Sequence, residues 1–190
     1  MRNNFGKFVP LTLVLLFSFG CASLPPVNFS VPNIGVSSTK LDAELKSLTV
    51  SIARPDEDAG EIAPGIGTHT GSWKTALEEA FNKMAIFKDD SPRKVTLAVK
   101  ILKFDTPSFG AGMTTHTSAR YEIIDRSDGS IIFTTDISTT GDVPFDYAFA
   151  ARVRLLESIN RSVQNNIIQF LQVLETVDMD KPMFPSKKIN

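Results

Sequence analysis

The C-terminal half of the sequence contains the strongest periodic pattern of the chain. Between residues 149 and 174, large apolar residues recur at intervals of three or four, which is the spacing of one face of an α-helix. Such a helix is about 38 Å long, and it must bury its apolar face against another layer of secondary structure. The pattern predicts an amphipathic helix whose buried face consists of Phe149, Val153, Leu156, Ile159, Val163, Ile167, Phe170 and Leu174.

Shorter patterns predict four strands and a second helix before this long helix. Residues 48–53, 93–104, 113–124 and 130–140 alternate between apolar and polar side chains, whereas residues 72–87 show helical spacing. The last three strands are consecutive and joined by turns, which favours an antiparallel meander. The expected fold is α+β, with a mainly antiparallel sheet of about four strands and two helices packed on one face, in the order β-α-β-β-β-α.

The N-terminus has the features of an export signal. Arg2 and Lys7 supply positive charge, and residues 9–19 contain no charged side chain. This apolar stretch is shorter than the ~20 residues that a membrane-spanning helix needs. The only cysteine of the chain, Cys21, lies just after it. The sequence therefore predicts a signal peptide over residues 1–20.

The residues around Cys21 resemble the lipobox of bacterial lipoproteins. Gly20 precedes the cysteine, and Ala22 and Ser23 follow it. The resemblance implies that the Cys21 thiol is alkylated with diacylglycerol and that the chain is cut before Cys21. Because the next residue is not Asp, it also implies sorting to the periplasmic face of the outer membrane. An ordinary signal-peptidase cut, which would leave Ser23 as the first residue, is the alternative.

The mature chain is expected to divide into a tether, a domain and a tail. Prolines and weak periodicity over residues 24–40 favour an extended spacer, and the alternative is a segment lying on the domain edge. The predicted boundaries are a tether over 21–45, an α+β domain over 46–178 and a flexible tail over 179–190. Residues 54–71 form a loop of unusual length, which is typical of a functional or a disordered segment.

Composition and charge exclude several classes of protein. With 22% charged and 42% hydrophobic residues, the chain is too apolar for a disordered protein and too mixed for a membrane bundle. The 20 Lys and Arg residues against 21 Asp and Glu residues supply no positive surface for nucleic acid. One cysteine and two histidines disfavour a structural zinc site, and no motif indicates a cofactor. The sequence leaves the oligomeric state undefined.

Few residues indicate chemistry or recognition. Neither His69 nor His116 is accompanied by a nucleophile motif, so no catalytic residue and no metal ligand are predicted. Arg154 and Arg161 are seven residues apart and therefore share one face of the long helix, either in exposed ion pairs or as a contact surface for an anionic partner. The candidate partner contacts are His69, Phe109, Arg154 and Arg161.

From Gly71 onward, the sequence resembles a group of small proteobacterial envelope lipoproteins. The similarity lies in the order and spacing of Trp73-x3-Leu77-Glu78, Val95-Thr96-Leu97-Ala98-Val99, Tyr121-Glu122-Ile123-Ile124-Asp125 and Phe149-Ala150-x2-Val153-Arg154. Some members of the group carry the label UDP-N-acetylglucosamine acyltransferase. Enzymes of that activity are β-helices built from hexapeptide repeats, and this sequence contains no such repeat. In its architecture, the chain is also similar to periplasmic auxiliary lipoproteins.

The predicted lipid anchor, together with the lack of a catalytic motif, favours a non-catalytic, lipid-anchored periplasmic binding protein of the envelope. Its expected partners are the membrane, through the lipid, and a protein involved in envelope assembly or maintenance. Two alternatives stay open. One is an acyl or sugar transferase that uses His69 or His116. The other is a carrier in which the long helix covers an apolar groove for a lipid or another small ligand.

Overall fold

Four strands and two helices make up the domain in the computed structural model, which describes residues 24, 26–57, 60–181 and 183. The predicted α+β class and element order are confirmed. Within the described residues, neither helix combines the length and the apolar character that crossing a bilayer requires. The elements are β1 (Glu44–Ile52), α1 (Thr70–Met84), β2 (Lys94–Asp105), β3 (Met113–Asp125), β4 (Ile131–Val143) and α2 (Ala151–Leu174).

The strands pair in sequence order, so that β1 and β4 lie at the edges of the sheet. Strands β2, β3 and β4 form the predicted antiparallel meander. Strand β1 pairs with β2 in parallel, and the sheet is therefore mixed rather than mainly antiparallel. The reason is the connection: α1 lies between β1 and β2 and carries the chain back to the same end of the sheet, as in a βαβ unit.

Alternation along the strands separates a helix-covered face from an open face. On the open face, the Arg120 guanidinium of β3 donates two hydrogen bonds of 2.7 and 2.8 Å to the Asp136 carboxylate of β4. On the covered face, both helices contribute to one apolar core with the sheet, as predicted. The fully buried residues of β2 in that core are Val95, Leu97, Val99, Ile101 and Phe104.

Three buried hydrogen bonds set the register of α2 on β3. Their helix residues recur every four positions along α2. The step from Ser158 to Ser162 matches the step from Thr115 to Thr117, because four residues of helix and two residues of strand each span ~6–7 Å. The Tyr121 hydroxyl belongs to this series. The Tyr121 ring stacks on the Phe170 ring, with ring centroids 3.9 Å apart. Burial raises the pKa of Tyr121, so its hydroxyl stays a donor. The pairs, at 2.6–2.8 Å, are Thr115–Ser158, Thr117–Ser162 and Tyr121–Asn166.

Helix α2 approaches β4 most closely at Gly141. A Cβ atom at this position would overlap the carbonyl oxygen of Ser158 and the amide nitrogen of Ser162. Only a residue without a side chain allows the two backbones to come so close.

Side chains of α2 also cover part of the β4 edge. They donate hydrogen bonds of 2.8–2.9 Å to main-chain carbonyl oxygens of the strand. Carbonyl groups two residues apart on a strand point the same way, so the bonds to Thr140 and Asp142 occupy acceptors along one edge and hinder strand addition there. The donor and acceptor residues are Asn166 to Ile137, Asn165 to Thr140 and Arg161 to Asp142.

The stretch predicted as a tether is packed on the domain from Asn28 onward. The Asn28 amide donates to Asn160 Oδ1 at 2.9 Å, and Phe29 and Leu41 are buried in the core. The domain therefore begins well before residue 46, because these apolar side chains complete the helix layer. Cys21 and the predicted signal peptide lie outside the described residues.

The beginning of the predicted tail is packed as well. Met179 is buried, and its carbonyl oxygen accepts a hydrogen bond of 2.5 Å from Arg93. The Met183 amide donates to the Ile132 carbonyl oxygen at 2.9 Å. These contacts extend the folded part of the chain beyond residue 178 and along the first residues of β4.

Candidate functional site

Four aromatic side chains are exposed on two neighbouring loops of the domain. One loop, residues 106–112, connects β2 to β3, and the other, residues 144–150, connects β4 to α2. We call these two loops together the aromatic end. Several large exposed apolar side chains at one end of a small domain are typical of an interaction surface. Their exposed fractions are 89% for Phe109, 58% for Phe145, 47% for Tyr147 and 96% for Phe149.

The guanidinium of Arg154 joins the two loops. Its NH1 group donates to the carbonyl oxygens of Ala148 and Phe149 at 2.6 and 2.9 Å, and its NH2 group donates to the Gly110 carbonyl oxygen at 3.4 Å. Arg154 is only 3% exposed. One buried side chain of α2 therefore holds the backbones of both loops, and the planar, multiply donating guanidinium suits this role.

Two arginines of α2 also hold the aromatic rings of the second loop. The Arg154 guanidinium lies 4.9 Å from the ring centre of Phe145, and that of Arg161 lies 5.1 Å from the ring centre of Tyr147. Arg161 is further fixed by Glu157, whose carboxylate accepts its Nε–H at 2.7 Å. These cation–π contacts orient rings that would otherwise be free to move in solvent.

The first loop is constrained by its glycines. Gly110 has φ +155°, and a Cβ at this position would lie 2.7 Å from the Gly112 carbonyl oxygen. Glycine is therefore required where the Gly110 carbonyl turns toward Arg154. The loop contains no charged side chain, and it presents Phe109 at its tip.

The structure changes the interpretation of two predicted residues. Arg154 cannot act as an exposed contact for an anionic partner, because it is buried and bonded to main-chain carbonyls. Phe149, predicted as the first buried residue of the long helix, is exposed because α2 begins at Ala151. Phe109 and Arg161 lie at the aromatic end, and their role as partner contacts stays a prediction.

The two histidines lie on opposite sides of the sheet. His69 is half-buried in the helix layer, where it meets the Phe29 ring edge-on at a centroid distance of 6.4 Å. His116 is exposed on the open face, beside a polar cleft of about 500 Å³ that Lys103 and Ser138 also line. The fold thus does not bring the two candidate bases together. Among the described residues, no group of three His, Cys, Asp or Glu side chains could hold a metal ion.

The long loop after β1 returns to the sheet rather than leaving it. Within residues 60–63, Ala63 donates its amide to the Phe104 carbonyl oxygen at 2.7 Å, and Phe104 donates to the Glu61 carbonyl oxygen at 2.8 Å. Glu57 anchors the earlier part of the loop through Lys100 Nζ at 2.9 Å. Helix α1 then begins at Thr70, two residues before the predicted start.

Glu57 makes the attachment of this loop dependent on pH. Hydrogen bonds from Lys100 and Arg54 lower the pKa of Glu57 from 4.5 to about 2. Since the folded-state pKa lies below the ordinary value, the stabilisation is complete above pH 4.5 and is lost as the pH falls toward 2. We expect Glu57→Gln to lower the urea midpoint at pH 7, with a difference from wild type that shrinks between pH 4.5 and 2. Glu61→Gln, an exposed position in the same loop, is the control, and equal pH profiles of Glu57→Gln and wild type would contradict the prediction.

Comparison with known proteins identifies the fold. No protein-family model matches the sequence, and no curated protein matches it. A crystal structure from Xanthomonas campestris, of the family DUF330, aligns with a TM-score of 0.53 and 11% identity, over 81% of this chain and 94% of its own. The two chains share one fold.

More distant structures align over similar lengths. A minor lipoprotein from Acinetobacter baumannii matches with a TM-score of 0.43 and 9% identity, covering 69% of this chain and 93% of its own. Protein CT253 from Chlamydia trachomatis matches with a TM-score of 0.47 and 11% identity, covering 72% and 96%. The acyltransferase label implied by the sequence resemblance is not supported, because the described chain is an α+β sandwich of helices on a sheet and not a β-helix.

Sequence reasoning found one aromatic residue of this end and missed its partners. Phe145 and Tyr147 were not singled out, although they follow Pro144 and precede the start of α2. The available signal was the run of three aromatic residues within five positions, directly before a helix. Such a run is equally consistent with an exposed loop and with the start of the buried helix face, and only the position of the helix boundary distinguishes these alternatives.

Proposed function

We propose that this chain is a lipid-anchored accessory protein of the bacterial cell envelope, which presents a small non-catalytic domain close to the membrane. The observation that carries the proposal is the position of Cys21. The cysteine follows a segment with the features of an export signal and precedes, by seven residues, the point where the chain joins the domain at Asn28.

The short distance between Cys21 and Asn28 defines where such a domain would work. Seven residues span at most ~25 Å when fully extended. Asn28 is held in place from both sides, since its amide donates to Asn160 and its carbonyl oxygen accepts from Gln164 at 3.0 Å. A lipid on Cys21 would therefore keep the domain at the membrane surface. Because the residue after Cys21 is Ala22 and not Asp, we assign the anchor to the periplasmic face of the outer membrane.

The use of polar side chains in the fold supports binding rather than catalysis. The buried hydroxyls of Ser158 and Ser162 are bonded to β3, and the two histidines lie on opposite sides of the sheet. The space between α2 and β3 is filled by Tyr121 and Phe170, so the groove that a lipid carrier needs is occupied by the protein itself.

The partner in this proposal is a protein of envelope assembly or maintenance. Crosslinking of intact envelopes that recovers no stoichiometric partner would refute this part of the proposal.

Metabolic labelling with a palmitate analogue tests the anchor. We expect the wild-type chain to carry the label and to fractionate with membranes, and Cys21→Ser to lose both properties. Ser23→Ala, which leaves the thiol in place, is the matched control and should be labelled like wild type. An unlabelled wild-type chain beginning at Ser23 by mass spectrometry, or equal labelling of Cys21→Ser, would refute the proposal.

A further inference from the structure

We infer that the aromatic end is the surface that the domain lays on the lipid bilayer in which its own anchor sits. The inference rests on the proposed function for the identity of the anchor. It also gives the anchored domain an orientation. Residues 106–112 and 144–150 face the membrane, and the turn between β3 and β4 points away from the membrane.

The first observation is the direction in which the N-terminal segment crosses α2. The Gln164 amide donates to the carbonyl oxygens of Asn28 and Ser30, and the Ser37 hydroxyl donates to Glu175 at 2.8 Å. From Asn28 to Ser37, the chain thus runs toward the C-terminal end of α2. Read backward, it leads toward the N-terminal end of α2, where the aromatic end lies.

The reach of the chain is compatible with an anchor at this end. Along α2, Asn160 lies nine residues from Ala151, a distance of about 14 Å. The seven residue-to-residue steps from Cys21 to Asn28 can span up to ~25 Å. A lipid on Cys21 can therefore enter the bilayer beside the aromatic end. The turn at Ser127 is out of reach, because Asn160 lies level with His116, between the bonded pairs Thr115–Ser158 and Thr117–Ser162, and the eleven residues from there to Ser127 span about 36 Å.

The second observation is the chemistry of the surface. Loop 106–112 contains no charged residue, and loop 144–150 contains only Asp146, so the exposed rings can enter the interfacial region with little charge to desolvate. Phe and Tyr side chains on a lipid-facing surface are typical of that region. The exposed Arg152 lies three residues after Phe149 and can meet lipid phosphates. An apolar protein pocket would also accept Phe109, but it would not account for the direction of the anchored chain.

Depth-dependent fluorescence quenching tests this orientation on the full lipidated protein. Because the thiol of Cys21 is then blocked, single cysteines at exposed positions can be labelled with an environment-sensitive dye. Ser108→Cys and Ala150→Cys place the dye beside Phe109 and Phe149 without removing the rings, and Ser127→Cys is the control at the opposite end. The proteins are reconstituted in phosphatidylethanolamine–phosphatidylglycerol vesicles, with and without acyl-chain bromination.

We expect bromination to reduce the fluorescence of the dyes at positions 108 and 150 by about half or more, as for groups at the membrane interface, and to leave position 127 unchanged. Adding Phe109→Ser and Phe149→Ser should abolish the quenching at position 150 while lipidation persists. Val36→Ser, which removes an exposed apolar side chain elsewhere (76% exposed), should not. Equal quenching at all three positions, or none at 108 and 150, would overturn the inference. So would crosslinking of positions 108 and 150 to a protein in native envelopes when vesicles leave both unquenched.

The result separates this inference from the proposed function. If mass spectrometry shows no acyl group at Cys21, the proposed anchor fails. A chain that begins at Ser23, and therefore lacks Cys21, is then labelled at position 108 or 127 and added to the same vesicles at high lipid concentration. A blue shift at position 108 alone would still support the aromatic end as the lipid-facing surface, and no shift at either position would refute it.

Discussion

Replacing Gly141 with alanine is expected to lower the free energy of unfolding by about 3 kcal/mol or more, as for a severe overpacking of a rigid core. The added Cβ would overlap backbone atoms of Ser158 and Ser162. Backbone atoms of a helix cannot move aside as a flexible side chain can. Relief would require α2 to shift away from the sheet, which would lengthen the buried bonds of Ser158 and Ser162 to β3.

Urea unfolding followed by the fluorescence of Trp73, the only tryptophan, measures this effect. Gly71→Ala is the control because a Cβ at Gly71, in the first turn of α1, meets nothing within 4 Å. Alanine is the better helix former, so that variant should be unchanged or more stable by up to about 1 kcal/mol. A Gly141→Ala protein within 1 kcal/mol of wild type would contradict the close approach of α2 and β4.

Arg154→Ala is expected to cost about 2–4 kcal/mol of stability, since it removes a large buried side chain and leaves several main-chain carbonyls without a donor. The loss should be concentrated at the aromatic end. The amides of loops 106–112 and 144–150 should exchange with deuterium much faster in the variant, whereas the amides of the turn between β3 and β4 should be unaffected.

Two further variants determine whether the stability loss in Arg154→Ala comes from the geometry of the guanidinium or from its charge. Arg152→Ala removes an exposed arginine two residues away and should change stability by no more than ~0.5 kcal/mol. Arg154→Lys keeps the positive charge but not the fork that reaches Ala148 and Gly110 together, so it should recover only part of the loss. If Arg154→Ala behaves like Arg152→Ala in unfolding and in hydrogen exchange, Arg154 does not hold the two loops.

The secondary structure was largely predictable because it depends on neighbours in the sequence. Val95, Leu97, Val99 and Ile101 alternate with polar residues and are buried as expected. Helix α2 ends at Leu174, where the periodic pattern ends. Its beginning was placed too early, since Phe149 continues the apolar spacing but precedes the first helical residue.

The site was less predictable because its parts are distant in the sequence. Gly110 and Arg154 are 44 residues apart, and no pattern in either segment indicates that they meet. The sequence also predicts an exposed Arg154, whereas the structure buries it, because nothing in the spacing of a helix face indicates that main-chain carbonyls will surround an arginine. Asn28 and Phe29 were assigned to a tether for a similar reason, as their partners lie on α2 and α1.

Local sequence patterns were sufficient to predict the elements, their order, the buried alternation in the strands and the signal segment with Cys21 after it. The elements and the buried alternation follow from backbone geometry, which imposes a period of two on a strand and of 3.6 on a helix. The signal segment follows from its local composition. Only the tertiary structure decided that β1 runs parallel to β2, that the N-terminal segment runs along α2, and that Arg154 joins two loops into the aromatic end. Such features arise from packing between distant segments, where one close approach, such as that at Gly141, fixes which surfaces are covered and which stay exposed.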